Sequence, residues 1–146
     1  MKLHQLSLFL ENKPGQLTDP CRLLAREGIN IRTLALADTE RFGILRMIVS
    51  DWQRASIVLQ EAGYVASATE VVAVEVADRP GGLAEVLEVL ENSAINIEYM
   101  YAFTFGRQDR AVLIFRFDKP DEAIALLQRA GINVVGSVEV YNRIEA

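Results

Sequence analysis

The chain contains an internal repeat, in which the segment 12–34 returns as the segment 78–100. The offset is 66 residues throughout, and the two copies align without a gap. Each copy has a Pro-Gly pair, then apolar residues at helical spacing, then the tripeptide Ile-Asn-Ile at 29–31 or 95–97. A repeat of this length indicates two similar structural units, each built from the same short series of helices and strands.

Strand and helix signals follow the same order in both copies. Apolar residues alternate with other residues in the strand before each turn, at Leu6, Leu8 and Leu10 in the first copy. This alternation is typical of a half-buried strand. Two strands, a second helix and a last strand follow in each half. The order β-α-β-β-α-β predicts an α+β fold of two ferredoxin-like units, each with an antiparallel four-stranded sheet.

Local signals place several helix boundaries. Pro20 cannot lie inside a helix without removing a backbone hydrogen bond, so we expect a late-starting first helix that Thr18 caps. The equivalent helix of the second copy has Val86 there and should start directly after Gly82. Asp51 is predicted to cap the helix of residues 52–62.

The two halves meet without a flexible linker. Residues 69–76 contain no Gly, Pro or Ser cluster, so we expect one long strand from about residue 65 to 76 that serves both units. The predicted domains are residues 1–70 and 71–146.

The repeated pattern resembles a tandem pair of ACT domains, the small amino-acid-sensing modules attached to many enzymes of amino-acid metabolism. In that family an Asx-x-Pro-Gly-x-Leu turn precedes the helix, and a hydrophobic-Asn-hydrophobic tripeptide opens the next strand. The resemblance implies an effector bound at the turn and at the Asn of the tripeptide, commonly where two units meet. The implied ligand-binding residues are Asn12, Pro14, Gly15, Gln16, Leu17, Asn30, Asp78, Pro80, Gly81, Gly82, Leu83 and Asn96.

The chemistry of these turns suits a free amino acid. A helix N-terminus presents unpaired N–H groups to a carboxylate, and an Asx side chain can accept from an ammonium. Because Asp78 is charged and Gly82 replaces Gln16, we expect the second copy to be the better site. The alternative is a purely structural turn, since Asx before Pro-Gly forms a good turn by itself. Leu10 and Val76 stand where some amino-acid-binding relatives carry a polar residue, which argues against a serine-like polar effector.

The remaining residues give little indication of a catalytic or metal-binding role. His4 is the only histidine and Cys21 the only cysteine, and we interpret both as structural. No metal site is predicted, because a single His and a single Cys are too few for one of ordinary type. No cofactor or catalytic residue is predicted either, because the motifs for phosphate or dinucleotide binding are absent and no set of residues carries a reaction. Tyr99, Tyr101, Phe103 and Phe105 form an aromatic stripe by alternation, which predicts either an interface or the wall of an apolar pocket.

Composition narrows the class of partner. The net charge of −5 and the scattered basic residues exclude nucleic acid, and no apolar run is long enough to span a membrane. The N-terminus lacks the features of a signal peptide, so we expect a cytoplasmic protein. Units of about 70 residues are marginal alone, which predicts a homodimer or larger homo-oligomer.

The sequence therefore predicts a non-catalytic regulatory protein that binds a small amino acid and acts allosterically. An enzyme of amino-acid metabolism is the candidate partner. The alternative is an ACT-fold module for structure or protein interaction, or a regulatory subunit without its own ligand. A small enzyme is the least supported hypothesis, since no set of residues carries a reaction.

Overall fold

The computed structural model describes residues 2–103 and 109–136 and divides the chain into two compact units. One unit is His4–Thr69, and the other begins at Glu70 and also contains Lys2 and Leu3. Helices and antiparallel strands alternate as predicted, so the α+β fold of two ferredoxin-like units is confirmed. The assignment of residues 1–70 and 71–146 as domains stays a prediction.

The first half of the chain has three strands and two helices before the long strand begins. In chain order they are β1 (Lys2–Glu11), α1 (Thr18–Arg26), β2 (Ile31–Thr39), β3 (Phe42–Val49) and α2 (Trp52–Glu61). Strand β3 lies between β2 and β1 and pairs with both in antiparallel fashion, so that Leu45 lies opposite both Leu8 and Leu36. The core on the helix side comprises Leu6, Leu8, Leu24, Leu45, Met47, Ala55 and Leu59, with others.

The opposite face of β1 departs from simple alternation. Phe9 is exposed as expected, but Ser7 and Gln5 are buried. The Gln5 Nε2 donates a hydrogen bond to Ser7 Oγ at 3.1 Å, which gives these buried polar groups a partner.

A single strand, β4 (Val65–Ala77), carries the chain from one unit into the other. The predicted long strand of residues 65–76 is therefore present. After it come α3 (Gly82–Glu91), β5 (Ile97–Ala102), β6 (Arg110–Phe117), α4 (Pro120–Arg129) and β7 (Val134–Val135). In the second unit β6 pairs with β4 and β5, and β7 pairs with β4. The sequence predicts the last strand over residues 134–141, of which residues 137–141 lie outside the described residues.

The second core lies between this sheet and its two helices. It is formed by Val72, Val74, Val76, Val86, Leu90, Phe115, Phe117, Ala123, Leu127 and Val134. The rings of Phe115 and Phe117 stack with centroids 5.3 Å apart. Tyr99 and Tyr101 lie opposite Arg116 and Ile114, so the aromatic stripe is on the other face of the sheet. Phe105, the last residue of the stripe, lies outside the described residues.

The first helix begins late, but Thr18 does not cap it. Helix α1 starts at Thr18, whereas α3 starts at Gly82, the place equivalent to Gln16. The capping position is Leu17, which has helical backbone angles and no side-chain hydrogen bond to the helix. The predicted cap was wrong because the Thr18 N–H already bonds to the Gly15 carbonyl, which places Thr18 inside the first turn. Pro20 lies in that turn, where its missing N–H costs nothing.

The Asp51 cap is confirmed and gives a direct test of the fold. Asp51 Oδ1 accepts a hydrogen bond from the Arg54 N–H at 3.1 Å, at the start of α2. Replacing Asp51 by alanine should lower the free energy of unfolding by about 1 kcal/mol, because one N–H of the first turn loses its partner. Urea denaturation measures this loss. Asp51→Asn keeps an acceptor oxygen and should recover most of it, whereas an equal loss in both variants would contradict the capping role.

Candidate functional site

The turn between β1 and α1 is tied to the turn between β2 and β3. The Asn12 N–H donates to the Arg41 carbonyl at 2.9 Å, and the Asn12 Nδ2 donates to the Glu40 carbonyl at 3.1 Å. Glu40 has a φ of +53° and is the one non-glycine residue with positive φ in the part of the chain described. Asn12 therefore supports a strained turn, and its side-chain oxygen remains able to accept from a ligand.

A cleft of about 80 Å³ opens beside this turn. Its lining mixes one cation, several oxygen acceptors and apolar side chains. The lining residues are Leu10, Glu11, Asn12, Lys13, Gln16, Leu17, Leu36, Ala37, Asp38 and Gly43. A wider and more open cleft of about 380 Å³ adjoins it and is lined by Glu11, Asn12, Lys13, Glu40, Arg41 and Phe42.

Gly43 is one reason for the space in the smaller cleft. It lies opposite Leu10 on β1 and opposite Asp38 on β2. A Cβ at this position would come within 3.4 Å of Leu36 Cδ1, so a larger residue would fill the floor of the cleft. The register of three strands thus brings Asp38 to the β1–α1 turn.

Two of the three charged side chains that line the cleft form an ion pair. Lys13 Nζ lies 2.8 Å from Glu11 Oε2. The hydrogen bond to the Glu11 carboxylate raises the pKa of the Lys13 ammonium, so Lys13 stays charged at neutral pH. The predicted residue Gly15 has a φ of +84°, which a glycine adopts without strain, and it shapes the turn without lining the cleft.

The equivalent turn of the second copy has a different geometry. The Asp78 N–H donates to the Asp109 carbonyl, as Asn12 does to Arg41, and Gly81 has a φ of +88°. A cleft of about 240 Å³ lies near the start of α3. It is lined by Glu75, Val76, Ala77, Gly82, Glu85, Val86, Arg110, Gly131, Ile132 and Asn133. Of the predicted ligand residues in this copy only Gly82 lines it, and Asp78, Pro80, Gly81, Leu83 and Asn96 do not.

The Asn of each Ile-Asn-Ile tripeptide makes a backbone link to the end of the next strand. The Asn30 N–H donates to Ser50 Oγ at 3.0 Å, and the Asn30 carbonyl accepts from the Ser50 N–H at 2.9 Å. Asn96 makes the same pair of bonds with Asp118, at 2.8 and 3.1 Å. Both Asn side chains are exposed, and neither lines a cleft described above.

Sequence reasoning therefore found three residues of the first cleft, Asn12, Gln16 and Leu17, and missed most of the others. Glu11 and Lys13 flank Asn12 in the turn, and their opposite charges were an available signal. Leu36 and Asp38 lie two residues apart on β2, so alternation could have placed them on one face. Their proximity to the turn depends on strand register, for which the sequence carried no signal.

His4 and Cys21, which the sequence analysis considered as reactive groups, lie in surroundings that fit a structural role. His4 stacks on Trp52 with ring centroids 4.2 Å apart and an interplanar angle of 13°. Burial raises the pKa of the Cys21 thiol, which disfavours the reactive thiolate. Over residues 2–103 and 109–136 no three His, Cys, Asp or Glu side chains are grouped as metal ligands. No helix in these ranges has the length and apolar character needed to cross a membrane.

Comparison with known proteins identifies the family. A family model described as an ACT domain pair matches residues 1–142. The crystal structure of protein BT0572 from Bacteroides thetaiotaomicron is 37% identical, with a TM-score of 0.89 over 97% of this chain and 96% of that one. The regulatory subunit of aspartate kinase from Thermus thermophilus is 19% identical, with a TM-score of 0.61 over 87% and 91% of the two chains.

A longer protein shares the fold as well. Aspartate kinase from Synechocystis has a TM-score of 0.60 at 18% identity, and the match covers 91% of this chain but 26% of that one. None of the curated protein sequences gives a significant match. The resemblance seen in the two Pro-Gly turns is confirmed by the family model over nearly the whole length. The chain belongs to the ACT domain pair family, whose domains are regulatory modules rather than catalytic ones.

Proposed function

We propose that this protein is a non-catalytic sensor that binds a small amino acid in the cleft beside Asn12. The observation that carries the proposal is the composition of the cleft. It combines acceptors for an ammonium, a cation for a carboxylate and an apolar wall within one small space. A zwitterion with a short apolar side chain matches all three features.

Each part of such a ligand has a partner in the lining. The Asn12 side-chain oxygen and the Asp38 carboxylate can accept from the ammonium, and hydrogen bonds to a charged group are the stronger ones. Lys13 can meet the carboxylate, with the N–H groups at the start of α1 nearby. Leu10, Leu17 and Leu36 supply apolar contact, and aspartate or glutamate ligands would meet repulsion from Glu11 and Asp38.

We propose the turn of the second copy as a second and weaker site. It would use Asp78, Pro80, Gly81, Gly82, Leu83 and Asn96. The proposed site of the first copy also includes Pro14, Gly15 and Asn30. These residues shape the turn or anchor the strand next to it. Membership of a family of regulatory domains supports ligand binding at these turns. The side chains of the turns provide the hydrogen-bonding and charged groups that an amino acid needs.

The proposal includes a partner and a setting. Some proteins of this fold are regulatory subunits of aspartate kinase, which supports an enzyme of amino-acid metabolism as the protein that this sensor controls allosterically. We also propose that the chain works in the cytoplasm as a homodimer or larger homo-oligomer, with domains 1–70 and 71–146. The alternative is an ACT-fold module that mediates assembly without a ligand of its own.

Thermal unfolding in the presence of each of the twenty amino acids tests the proposal. A ligand at ten times its dissociation constant should stabilise the protein by about 1.4 kcal/mol, because it binds the folded state alone. Small apolar amino acids should give the largest shift in melting temperature. Their N-acetyl and amide derivatives lack the ammonium or the carboxylate and serve as controls. If all twenty leave the melting temperature unchanged, the assembly module replaces the sensor as the better hypothesis.

A further inference from the structure

The cleft beside Asn12 continues into a second and wider space. The smaller cleft of about 80 Å³ and the open cleft of about 380 Å³ share Glu11, Asn12 and Lys13 in their linings. Ligand sites in proteins commonly have volumes of about 300–1,000 Å³, so the smaller cleft falls below this range and the wider cleft within it. A ligand that binds beside Asn12 therefore has room to extend into the wider cleft.

The turn between β2 and β3 forms one wall of the wider cleft, and Asn12 holds it in place. Two hydrogen bonds run from Asn12 to this turn, one from its backbone N–H to the Arg41 carbonyl and one from its side chain to the Glu40 carbonyl. Glu40 keeps a φ of +53°, which residues other than glycine rarely adopt. Strained backbone that its surroundings hold in place is concentrated at binding sites and switch regions, which points to a function for this wall.

The side chains on this wall offer a cation and an aromatic ring. Arg41 and Phe42 are both exposed, Phe42 by 53%. In the part of the chain that the structure describes, the Arg41 guanidinium forms no ion pair, whereas Lys13 is paired with Glu11 at 2.8 Å. Arg41 is therefore the cation of this cleft that can meet a ligand carboxylate without giving up a partner, and its planar guanidinium can bind both carboxylate oxygens.

These features match a ligand that is one residue longer than a free amino acid. Its ammonium and first side chain would occupy the smaller cleft, as proposed above for an amino acid. A trans peptide bond places the next Cα about 3.8 Å further along, and so carries the carboxylate towards the wider cleft. The peptide carbonyl can then accept a hydrogen bond from the Lys13 ammonium, in place of the carboxylate of a single amino acid.

We infer that the wider cleft is an outer subsite that binds the second residue of a dipeptide, with the carboxylate at Arg41 and the side chain against the ring of Phe42. The inference rests on the proposed function and deepens it, because the site beside Asn12 receives the first residue. It specifies a ligand with a small apolar first residue and an apolar or aromatic second residue. Glu40 lines the same cleft, so an acidic second residue should be disfavoured by repulsion between carboxylates.

Isothermal titration calorimetry with L-alanine and L-alanyl-L-phenylalanine tests the subsite, and L-valine with L-valyl-L-phenylalanine repeats the comparison. Each dipeptide should bind at least about tenfold more tightly than the amino acid with which it begins, because it adds a charge-assisted pair and an aromatic contact. Arg41→Gln removes the guanidinium and leaves the backbone carbonyl that Asn12 contacts. This variant should lose most of the advantage of the dipeptides and keep the affinity for the free amino acids within about twofold.

A dipeptide amide shows whether Arg41 meets the carboxylate itself. In the natural chain, L-alanyl-L-phenylalanine amide should bind about tenfold more weakly than the free dipeptide, because the amide lacks the negative charge. In Arg41→Gln the same change of ligand should cost less than about twofold, since the partner of the carboxylate is already gone. If Arg41 only supported the turn, its replacement would weaken both ligands equally and leave the tenfold ratio unchanged.

Glu40→Asn tests the expected exclusion of acidic ligands. Asparagine adopts positive φ more readily than most residues, so the turn keeps its backbone conformation while the carboxylate is lost. L-Alanyl-L-aspartate should bind the natural chain at least about tenfold more weakly than L-alanyl-L-phenylalanine, and Glu40→Asn should recover about threefold or more of this loss. An unchanged affinity in Glu40→Asn would contradict the placing of the second side chain in the wider cleft.

The outcomes separate the outer subsite from the amino-acid site. If the free amino acids bind and the dipeptides bind no more tightly, the outer subsite is overturned and the proposed function stands. If alanine, valine and their dipeptides all fail to bind, the outer subsite falls together with the small apolar ligand of the proposed function. An amide effect that is the same in Arg41→Gln and in the natural chain overturns the assignment of the carboxylate to Arg41.

Discussion

Replacing Gly82 by alanine should lower the free energy of unfolding by about 3 kcal/mol, near the upper end for overpacking of a close contact. The backbone of α3 passes directly over the end of β4 at this residue. A Cβ at Gly82 would overlap the carbonyl oxygen of Ala77 and lie 3.0 Å from its carbonyl carbon. Backbone atoms cannot rotate away as a side chain can, so the start of α3 must shift. Urea denaturation of the purified chain measures the loss.

The repeat supplies a matched control. Gln16 is the residue equivalent to Gly82, and it already carries an exposed side chain because α1 begins two residues later. Gln16→Ala should therefore change stability by no more than about 0.5 kcal/mol. A Gly82→Ala variant as stable as the natural chain would mean that α3 does not approach β4 so closely.

The positions that the sequence predicted well are those with a local cause. Pro20 removes an N–H, which delays α1, and Asp51 offers an acceptor to the first turn of α2. The long strand β4 follows from a run of residues that contains no turn signal. These features depend on a few neighbouring residues, so sequence alone was sufficient to predict them.

The parts that the sequence missed depend on distant pairings. Asp38 reaches the turn at Asn12 because β3 brings Gly43, which has no side chain, between Leu10 and Asp38. Ser50 and Asp118 hold the Asn residues of the tripeptides through pairs of hydrogen bonds across 20 and 22 residues. Strand register determines both contacts, and a one-residue shift would remove them. The candidate site was therefore predictable at its turn and not in the strands facing it.

The last prediction concerns the ranking of the two turns. The sequence alone ranks the second copy first, because Asp78 is charged and Gly82 replaces Gln16. The geometry leads us to propose the opposite order. Asn12 lines two adjoining clefts with Lys13, whereas the cleft near α3 includes Gly82 without Asp78. A ligand in the first copy can meet an ammonium acceptor and a cation in one place.

Asn12→Ala should weaken amino-acid binding about tenfold to a hundredfold, because a hydrogen bond to a charged group contributes roughly 1.5–3 kcal/mol. Asp78→Ala should weaken it by less than about threefold, since this change leaves the stronger site intact. Isothermal titration calorimetry with the amino acid that gives the largest thermal shift measures both. A larger loss of affinity from Asp78→Ala than from Asn12→Ala would mean that the second copy holds the stronger site.

Asn12→Asp separates ligand contact from support of the turn. The carboxylate keeps an oxygen acceptor for the ammonium but cannot donate to the Glu40 carbonyl, as the Asn12 amide does at 3.1 Å. We therefore expect stability to fall by about 1 kcal/mol while amino-acid affinity is retained or increased. If Asn12→Asp loses as much affinity as Asn12→Ala, Asn12 acts on binding by holding the β2–β3 turn, and the acceptor in the cleft is Asp38 instead.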